Sequence, residues 1–293
     1  MVIDFAAVCD VGPVRSENQD RYVVSDFAIT FTATQSSKLR IGEQSDEVLL
    51  AVADGMGGVA GGAQAAEVAL ETIAADYIEY ADTRSTQDAL SGAIEAAHHA
   101  VRDRADEQGL TGMGTTATVV LLRGDMLYLA HVGDSRAYLY RGRELVRLTT
   151  DHGYWSKLRG YDGDDVRNLA GGNVLAQCVG GIAESVLVEV SQVELCRGDR
   201  LLLCSDGLHG VVDQDDIRRR MAGGGPSWTA GALHMAALAA ATQDNVTAVV
   251  AHLIDEELPE AAEGETIRLE PVVEVVYDKK THNLVRRIVS GVD

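Results

Sequence analysis

Between Val119 and Leu145 the chain reads VVLLRGDMLYLAHVGDSRAYLYRGREL. Three apolar runs, rich in β-branched and aromatic residues, are separated by short Gly-Asp and Arg-Gly turn signals. Parallel strands need crossovers of about a dozen residues or more, so spacings this tight require antiparallel neighbours. The stretch is read as consecutive hairpins, an antiparallel meander. Comparable runs recur at Ile3–Gly12, Glu47–Asp54, Ser185–Leu195, Asp199–Asp206 and Asn245–Leu253. They do not alternate regularly with helices, which excludes a doubly wound parallel sheet.

Two long helices interrupt the strands. From about Ala63, the residues Ala66, Leu70, Ile73, Tyr77 and Tyr80 share one face, and from about Thr86, so do Leu90, Ile94, Ala97 and Val101. Further helices are predicted near DQDDIRRRM and SWTAGALHMAALAAA. Each has a single apolar stripe, so each covers a sheet face. The predicted fold is α+β: an α-β-β-α sandwich of two stacked antiparallel sheets flanked by helices. After Asp255 the acidic, proline-containing segment DEELPEAAEGE reads as a solvated linker, and VVEVVYDKKTHNLVRRIVS as an appended β-hairpin. The expected organisation is a domain over 1–254, an acidic linker over 255–265 and a C-terminal extension over 266–293.

The 293 residues carry 45 acidic against 25 basic side chains, a net charge of −20. Nucleic-acid and anionic-membrane binding are excluded as expectations, because little positive charge is on hand to displace counterions. No apolar run reaches the roughly 18 residues of a membrane span, and MVIDFAAVCDVG lacks a basic leader. The four cysteines (Cys9, Cys178, Cys196, Cys204) are scattered without a CxxC pair, which fits a reducing compartment and a cytoplasmic location.

One stretch, LLAVADGMGGVAGG (Leu49–Gly62), runs an apolar strand into an aspartate and then into repeated glycines. Asp206-Gly207 follows RLLLCS in the same way, Asp134 ends LAHVG, and Asp244 precedes VTAVVAHL. Four aspartates are thus expected at strand ends, where rigid strands hold their carboxylates in place. Carboxylates without histidine or cysteine form the ligand set of a hard divalent cation, Mg²⁺ or Mn²⁺. Two such ions about 3.5–4 Å apart are a device for phosphate-ester hydrolysis. Asp-Gly is also the commonest turn dipeptide, and taken singly each pair reads first as a hairpin turn; only the four together point to a cation.

The motifs DVGPVRSENQDRY (Asp10–Tyr22), VADGMGG (Val52–Gly58), GMGTTATVV (Gly112–Val120), AHVGDSRAYLYR (Ala130–Arg141), LTTDH (Leu148–His152), NVLAQCVGG (Asn173–Gly181), RGDRLLLCSDGL (Arg197–Leu208) and QDNVTAVV (Gln243–Val250) follow one another in order. In this series the chain resembles the PPM family, the metal-dependent type 2C Ser/Thr protein phosphatases, in its bacterial form. The resemblance implies a binuclear Mg²⁺/Mn²⁺ centre in a cleft at one end of the sandwich. Asp54 would bridge both ions, with the Gly55 carbonyl on the first and Asp206 and Asp244 on the second. Asp134 would share a weaker third ion with Asp206. Asp20 would bind metal-bound water, with Asn245 in the second shell, and Arg15 would bind phosphate. By itself, Arg15 reads sooner as a surface ion pair with Glu17 or Asp20, and the resemblance reverses that preference. The implied reaction is in-line attack of a metal-bound hydroxide on phosphoserine or phosphothreonine proteins, opposing a bacterial Ser/Thr kinase. The competing readings are a catalytically weak phosphoprotein-binding or sensor domain and a hydrolase of small phosphoesters.

Three positions depart from relatives. Met56 stands where many eukaryotic members carry a histidine proposed as general acid; His152 and His209 are the nearest sequence candidates, each also readable as structural or solvent-facing. Gln19 replaces an acid in ENQD. Gly153–Gly172 occupies the family's flap, here glycine-rich with Tyr154-Trp155 and the acidic YDGDD. Gly57 and Gly58 are expected to keep bulk away from phosphate, and Gly61 and Gly62 read as merely permissive.

Overall fold

The computed structural model describes residues 1–27, 30–33, 37–41, 46–56, 61–153, 175–262, 264–278 and 283–289. In chain order its strands are β1 (Ile3–Asp10), β2 (Asp20–Ser25), β3 (Thr30–Ala33), β4 (Ser37–Ile41), β5 (Glu47–Met56), β6 (Gly114–Thr115), β7 (Ala117–Arg123) and β8 (Met126–Val132). They continue as β9 (Arg136–Arg141), β10 (Glu144–Arg147), β11 (Val179–Gly180), β12 (Glu189–Glu194), β13 (Arg200–Cys204), β14 (Val246–Leu253), β15 (Glu270–Asp278) and β16 (Asn283–Ile288). The helices are α1 (Gly62–Tyr80), α2 (Thr86–Gln108), α3 (Asp206–His209), α4 (Gln214–Met221) and α5 (Pro226–Ala239).

The strands form two antiparallel sheets. One has six strands in the order β10-β9-β13-β14-β1-β4; the other has ten, ordered β11-β6-β5-β7-β8-β12-β15-β16, with β2 beside β5 and β3 beside β2. The expected meander breaks at one point. β7 and β8 pair as a hairpin, and so do β9 and β10, but β8 and β9 lie in different sheets. The connection Gly133–Ser135 therefore crosses from one sheet to the other, carrying Asp134 to the end of both.

Side chains from both sheets fill the space between them, among them Phe5, Leu50, Val52, Val120, Leu129, Leu139, Leu203 and Val249. On the other face of the ten-stranded sheet, Leu49, Ala51 and Ala53 pack against Ala66, Leu70 and Ile73 of α1 and Leu90, Ile94 and Val101 of α2. Both faces of β5 are buried, which is why LLAVA shows no polar alternation. Burying one such leucine or valine contributes about 1.5–3 kcal/mol. α4 and α5 cover the six-stranded sheet, with Ile217, Met221, Leu233 and Ala237 against Tyr138, Leu202, Ala248 and Val250. The layers are helix, sheet, sheet, helix, the predicted architecture.

The helix ends follow local chemistry. The Ser85 hydroxyl accepts from the Asp88 amide at the start of α2, and Gly109 closes that helix at φ 67°. Asp213 caps α4 through the Asp216 amide. The acidic segment after Asp255 lies along the domain. Leu258 and Ile267 reach the inter-sheet core, and Glu265 meets Arg141 at 3.2 Å. β15 then pairs with β12 and with β16, extending the ten-stranded sheet.

Candidate metal centre and active site

The aspartates converge through different local devices. Asp54 is not a strand terminus, as the sequence suggested: β5 continues through Gly55 and Met56, which pair with Thr115 and Gly114 of β6. Asp206 opens α3 directly after β13, and Asp244 lies in the turn before β14. Asp20, at the start of β2, sits directly opposite Asp54 in the β2–β5 register.

Close backbone packing explains two glycines of the opening stretch. A Cβ on Gly55 would lie 2.1 Å from the Gly62 carbonyl oxygen and 2.9 Å from that of Gln19. A Cβ on Gly62 would lie 2.6 Å from Gln19 Oε1 and 2.8 Å from the Gly55 carbonyl carbon. Gly62 is thus required, not permissive: the start of α1 rests directly on the end of β5. Gly57, Gly58 and the flap beyond Gly153 fall outside the described residues; Gly153 and Leu175, on either side of the flap segment, form an antiparallel bridge.

Arg15, Glu17, Asp54, Gly55, Asp134, Asp206 and Asp244 line a single cavity of about 430 Å³, with Met56, Thr116, Leu175 and Asn245 also on its wall. The Asp54 peptide is held firmly. Its N–H donates to Thr116 Oγ1 at 2.9 Å, and its carbonyl accepts from Thr115 Oγ1 and the Thr116 amide, each at 2.9 Å. Holding this peptide is the role of the threonine pair in GMGTT.

Burial pushes the Asp54 carboxyl well above the usual carboxylate range, and Asp20, Asp206, Asp134 and Asp244 push it further. Asp20 is driven up to about 7, first by burial and then by Asp206 and Asp244, against the hydrogen bonds of Ser205 and Thr247. Ser205 Oγ donates to Asp20 Oδ2 at 2.7 Å, whereas Asp20 Oδ1 is buried without a hydrogen-bond partner. An orphan oxygen, mutually repelling carboxylates and an oxygen-only donor set all fit hard divalent cations.

A pH dependence follows with a definite sign. Between an unfolded value of about 3.9 and its folded value of about 7, Asp20 holds a proton in the folded metal-free protein that the unfolded chain has released. Metal-free stability therefore falls as pH rises through this window, and a cation that displaces the proton binds better toward its upper end. The rise in Tm on adding Mn²⁺ is expected to be larger at about pH 7 than at about pH 5, read by thermal shift. A rise of equal size at both would contradict the assignment.

Arg15 takes neither of the partners its local sequence offers. Its Nη2 lies 2.7 Å from Asp244 Oδ2, with the side chain 55% exposed on the cavity wall. Asn245 does not direct its side chain to the carboxylates. Oδ1 accepts from the Gln19 amide at 2.9 Å, and Nδ2 donates to the carbonyls of Val11 at 2.8 Å and Glu17 at 2.9 Å. It fastens the loop that carries Arg15. Gln19 stays beside the site through its carbonyl, which accepts from the Gly55 amide at 3.3 Å.

Both candidate histidines are buried and engaged rather than facing solvent. His209 Nε2 donates to the Asp134 carbonyl at 2.8 Å, and His152 Nδ1 accepts from the Gly133 amide at 3.2 Å. Neither lines the cavity. His152 belongs to a buried cluster with His131 and Glu189 whose ligand-type atoms lie within 4.8 Å of one another. Hydrogen bonds to Thr118, Gly133, Gln177 and Glu189 already occupy the ring nitrogens, and burial holds His131 down to about 4. This reads as a buried, hydrogen-bonded core.

Fold and site together define a class: a four-layer sandwich with an oxygen-lined cavity whose walls draw on both sheets. Residues 15–155 match the model of the protein phosphatase 2C family. The chain is 32% identical over 262 residues to the serine/threonine protein phosphatase PstP of Mycobacterium tuberculosis, covering 87% of this chain and 46% of PstP. It is 26% identical over 221 residues to protein phosphatase PhpP of Streptococcus pneumoniae, covering 74% of this chain and 83% of PhpP. Among solved structures, the Mycobacterium tuberculosis phosphatase PstP/Ppp superposes with a TM-score of 0.73 at 30% identity, covering 87% of this chain and all of that one. The PstP catalytic domain in complex with two manganese ions gives 0.69 at 30% identity, with the same coverage. The chain belongs to the protein phosphatase 2C, or PPM, family. It spans about half the length of the PstP relatives it matches, and no helix among the described residues is long and apolar enough to cross a membrane.

Proposed function

We propose that the chain is a metal-dependent phosphatase of phosphoserine and phosphothreonine in proteins. The observation that carries this reading is the convergence of Asp54, Asp134, Asp206 and Asp244 on one cavity with Arg15 on its wall. Asp54 would hold two cations, the Gly55 carbonyl joining on the first and Asp206 and Asp244 on the second. Asp134 and Asp206 would hold a weaker third, and the orphan oxygen of Asp20 would accept a hydrogen bond from outside the ligand shell. When bound, the cations supply a nucleophile from water at neutral pH and offset charge on the phosphoryl oxygens.

The remaining work falls to the chain's own groups. Arg15 offers a planar fork to two phosphate oxygens, and to do so it exchanges its contact with Asp244 for the substrate. Asn245 keeps that arginine's loop in register with β14. Met56 has no proton to give, and His152 and His209 are committed elsewhere, so the leaving oxygen takes its proton from water in the open cavity. We also place the catalytic unit in residues 1–254 and its work in the cytoplasm, opposite a Ser/Thr kinase. The names of the relatives support a place opposite a Ser/Thr kinase.

The test is turnover of a phosphothreonine peptide with Mn²⁺. Asp54→Asn and Asp206→Asn are each expected to lower kcat by about 10²–10³-fold or more, since each removes charge aimed at the reacting group. Activity that survives both substitutions, or persists in chelator, would sink the reading. Tight phosphopeptide binding without phosphate release would favour a sensor domain instead.

A further inference from the structure

The loop between β1 and β2 forms the rim of the cavity, and its exposed part is Pro13-Val14-Arg15-Ser16-Glu17. One side chain holds both ends of this rim. The Asn245 amide bonds the Val11 carbonyl before it, and the Glu17 carbonyl and Gln19 amide after it. At its root, Gly12 adopts φ +73° and approaches so near that a Cβ would lie 2.1 Å from the Asp244 carbonyl oxygen. The Gly12 amide also donates to Asp10 Oδ1 at 2.7 Å. The rim is therefore fixed before substrate arrives, and its side chains present a set pattern: apolar Val14, cationic Arg15 and anionic Glu17.

Arg15 is the only base among the described residues of the cavity wall, and it already faces Asp244. Glu17 stands two residues away on the same rim, at the surface, met by the Gln19 side-chain amide at 3.5 Å, the limit of a hydrogen bond. The Asp54, Asp134, Asp206 and Asp244 side chains line the cavity where cations would offset them, whereas Glu17 stands exposed on the rim. Around it is a protein of net charge −20, which repels acidic peptides and attracts basic ones at long range.

Resting on the phosphatase reading above, we propose that Glu17 is a specificity-determining residue: it selects phosphopeptides with a lysine or arginine beside the phosphorylated residue and disfavours acidic flanks. Phosphate on Arg15 places the neighbouring peptide residue over the rim, within reach of the Glu17 carboxylate. An exposed ion pair of this kind discriminates by up to about fivefold, and repulsion of the acidic peptide together with global steering widens the gap at low salt.

The experiment compares kcat/KM for two phosphothreonine peptides that differ only in arginine or glutamate flanks, with Mn²⁺, at low and high salt. The wild type is expected to prefer the basic peptide about threefold to tenfold or more at low salt. The gap should narrow as the screening length shrinks from about 30 Å at 0.01 M to about 3 Å at 1 M. Glu17→Lys is expected to lower the basic-to-acidic ratio at least threefold, mainly through KM, and Glu17→Gln by a smaller factor in the same direction. The backbone carbonyl of Glu17, not its side chain, bonds Asn245, so the glutamine variant keeps the rim fastened if the lysine variant does not fold. Equal turnover of both peptides by the wild type, or a ratio unchanged in Glu17→Gln and Glu17→Lys, overturns the assignment to Glu17. Failure to turn over either peptide overturns the phosphatase reading itself.

Discussion

Replacing Arg136 by leucine should lower the unfolding free energy by about 3–5 kcal/mol, a large share of the roughly 5–15 kcal/mol available to a domain. Arg136 is 1% exposed. Its Nε donates to Asp151 Oδ1 at 2.8 Å and its Nη2 to Asp151 Oδ2 at 2.6 Å, while Nη1 meets Tyr138 Oη at 3.1 Å. Leucine fills part of the volume but leaves the Asp151 carboxyl buried and stripped of its bidentate partner, and that lost compensation is the main cost. Lysine should recover only part of the loss, because one ammonium cannot reproduce the two-pronged contact. The measurement is urea unfolding followed by circular dichroism. The midpoint should fall with little change in slope, and a loss below about 1 kcal/mol would show the pair to be dispensable. The bridge also joins the crossover at Gly133–Ser135 to the base of the flap at His152–Gly153, so its loss loosens Asp134 along with the core.

Substituting alanine for Gly55 should reduce catalysis by at least about 10²-fold, the scale expected for displacing reacting groups by about 1 Å. The added methyl meets the Gly62 carbonyl oxygen at 2.1 Å, its carbon at 2.3 Å and the Gln19 carbonyl oxygen at 2.9 Å. All three are backbone atoms, so no side chain can swing aside. Either the first turn of α1 moves off β5 or the end of β5 bends away from α1, and the second alternative carries Asp54 with it. Overpacking of this kind also costs about 1–3 kcal/mol of stability. Isothermal titration with Mn²⁺ alongside peptide turnover separates the two consequences. Weaker cation binding in a folded variant is the expected result, and unchanged binding with unchanged turnover would mean that the contact yields without consequence.

Both predictions rest on features that the sequence displayed to different degrees. The Asp54-Gly55 pair is visible as an apolar run ending in a turn dipeptide, and the four aspartates could be gathered because each follows or precedes a recognisable strand. The reason for Gly62 was not visible. Its neighbour Gln19 is 43 positions earlier, and only the pairing of β2 with β5 brings the two together. Arg15 shows the same limit more strongly: its local sequence offers Glu17 and Asp20, yet it contacts Asp244, 229 residues away. The two-residue strands β6 and β11 carry no periodicity long enough to detect, although Thr115 of β6 and Thr116 just after it hold the Asp54 peptide.

The amino-acid sequence by itself determined the antiparallel strands, the long amphipathic helices and the positions of the metal-type carboxylates. Alternation, helical spacing and turn chemistry act over a few residues, so they can be read along the chain. Tertiary structure alone decided that β8 and β9 part company into different sheets, which sends Asp134 to the same cavity as Asp54. It also decided that Asn245 fastens the rim and that His152 and His209 serve as buried supports. Those outcomes depend on which strand ends meet across two sheets, and that is set by the packing of the inter-sheet core rather than by any local pattern.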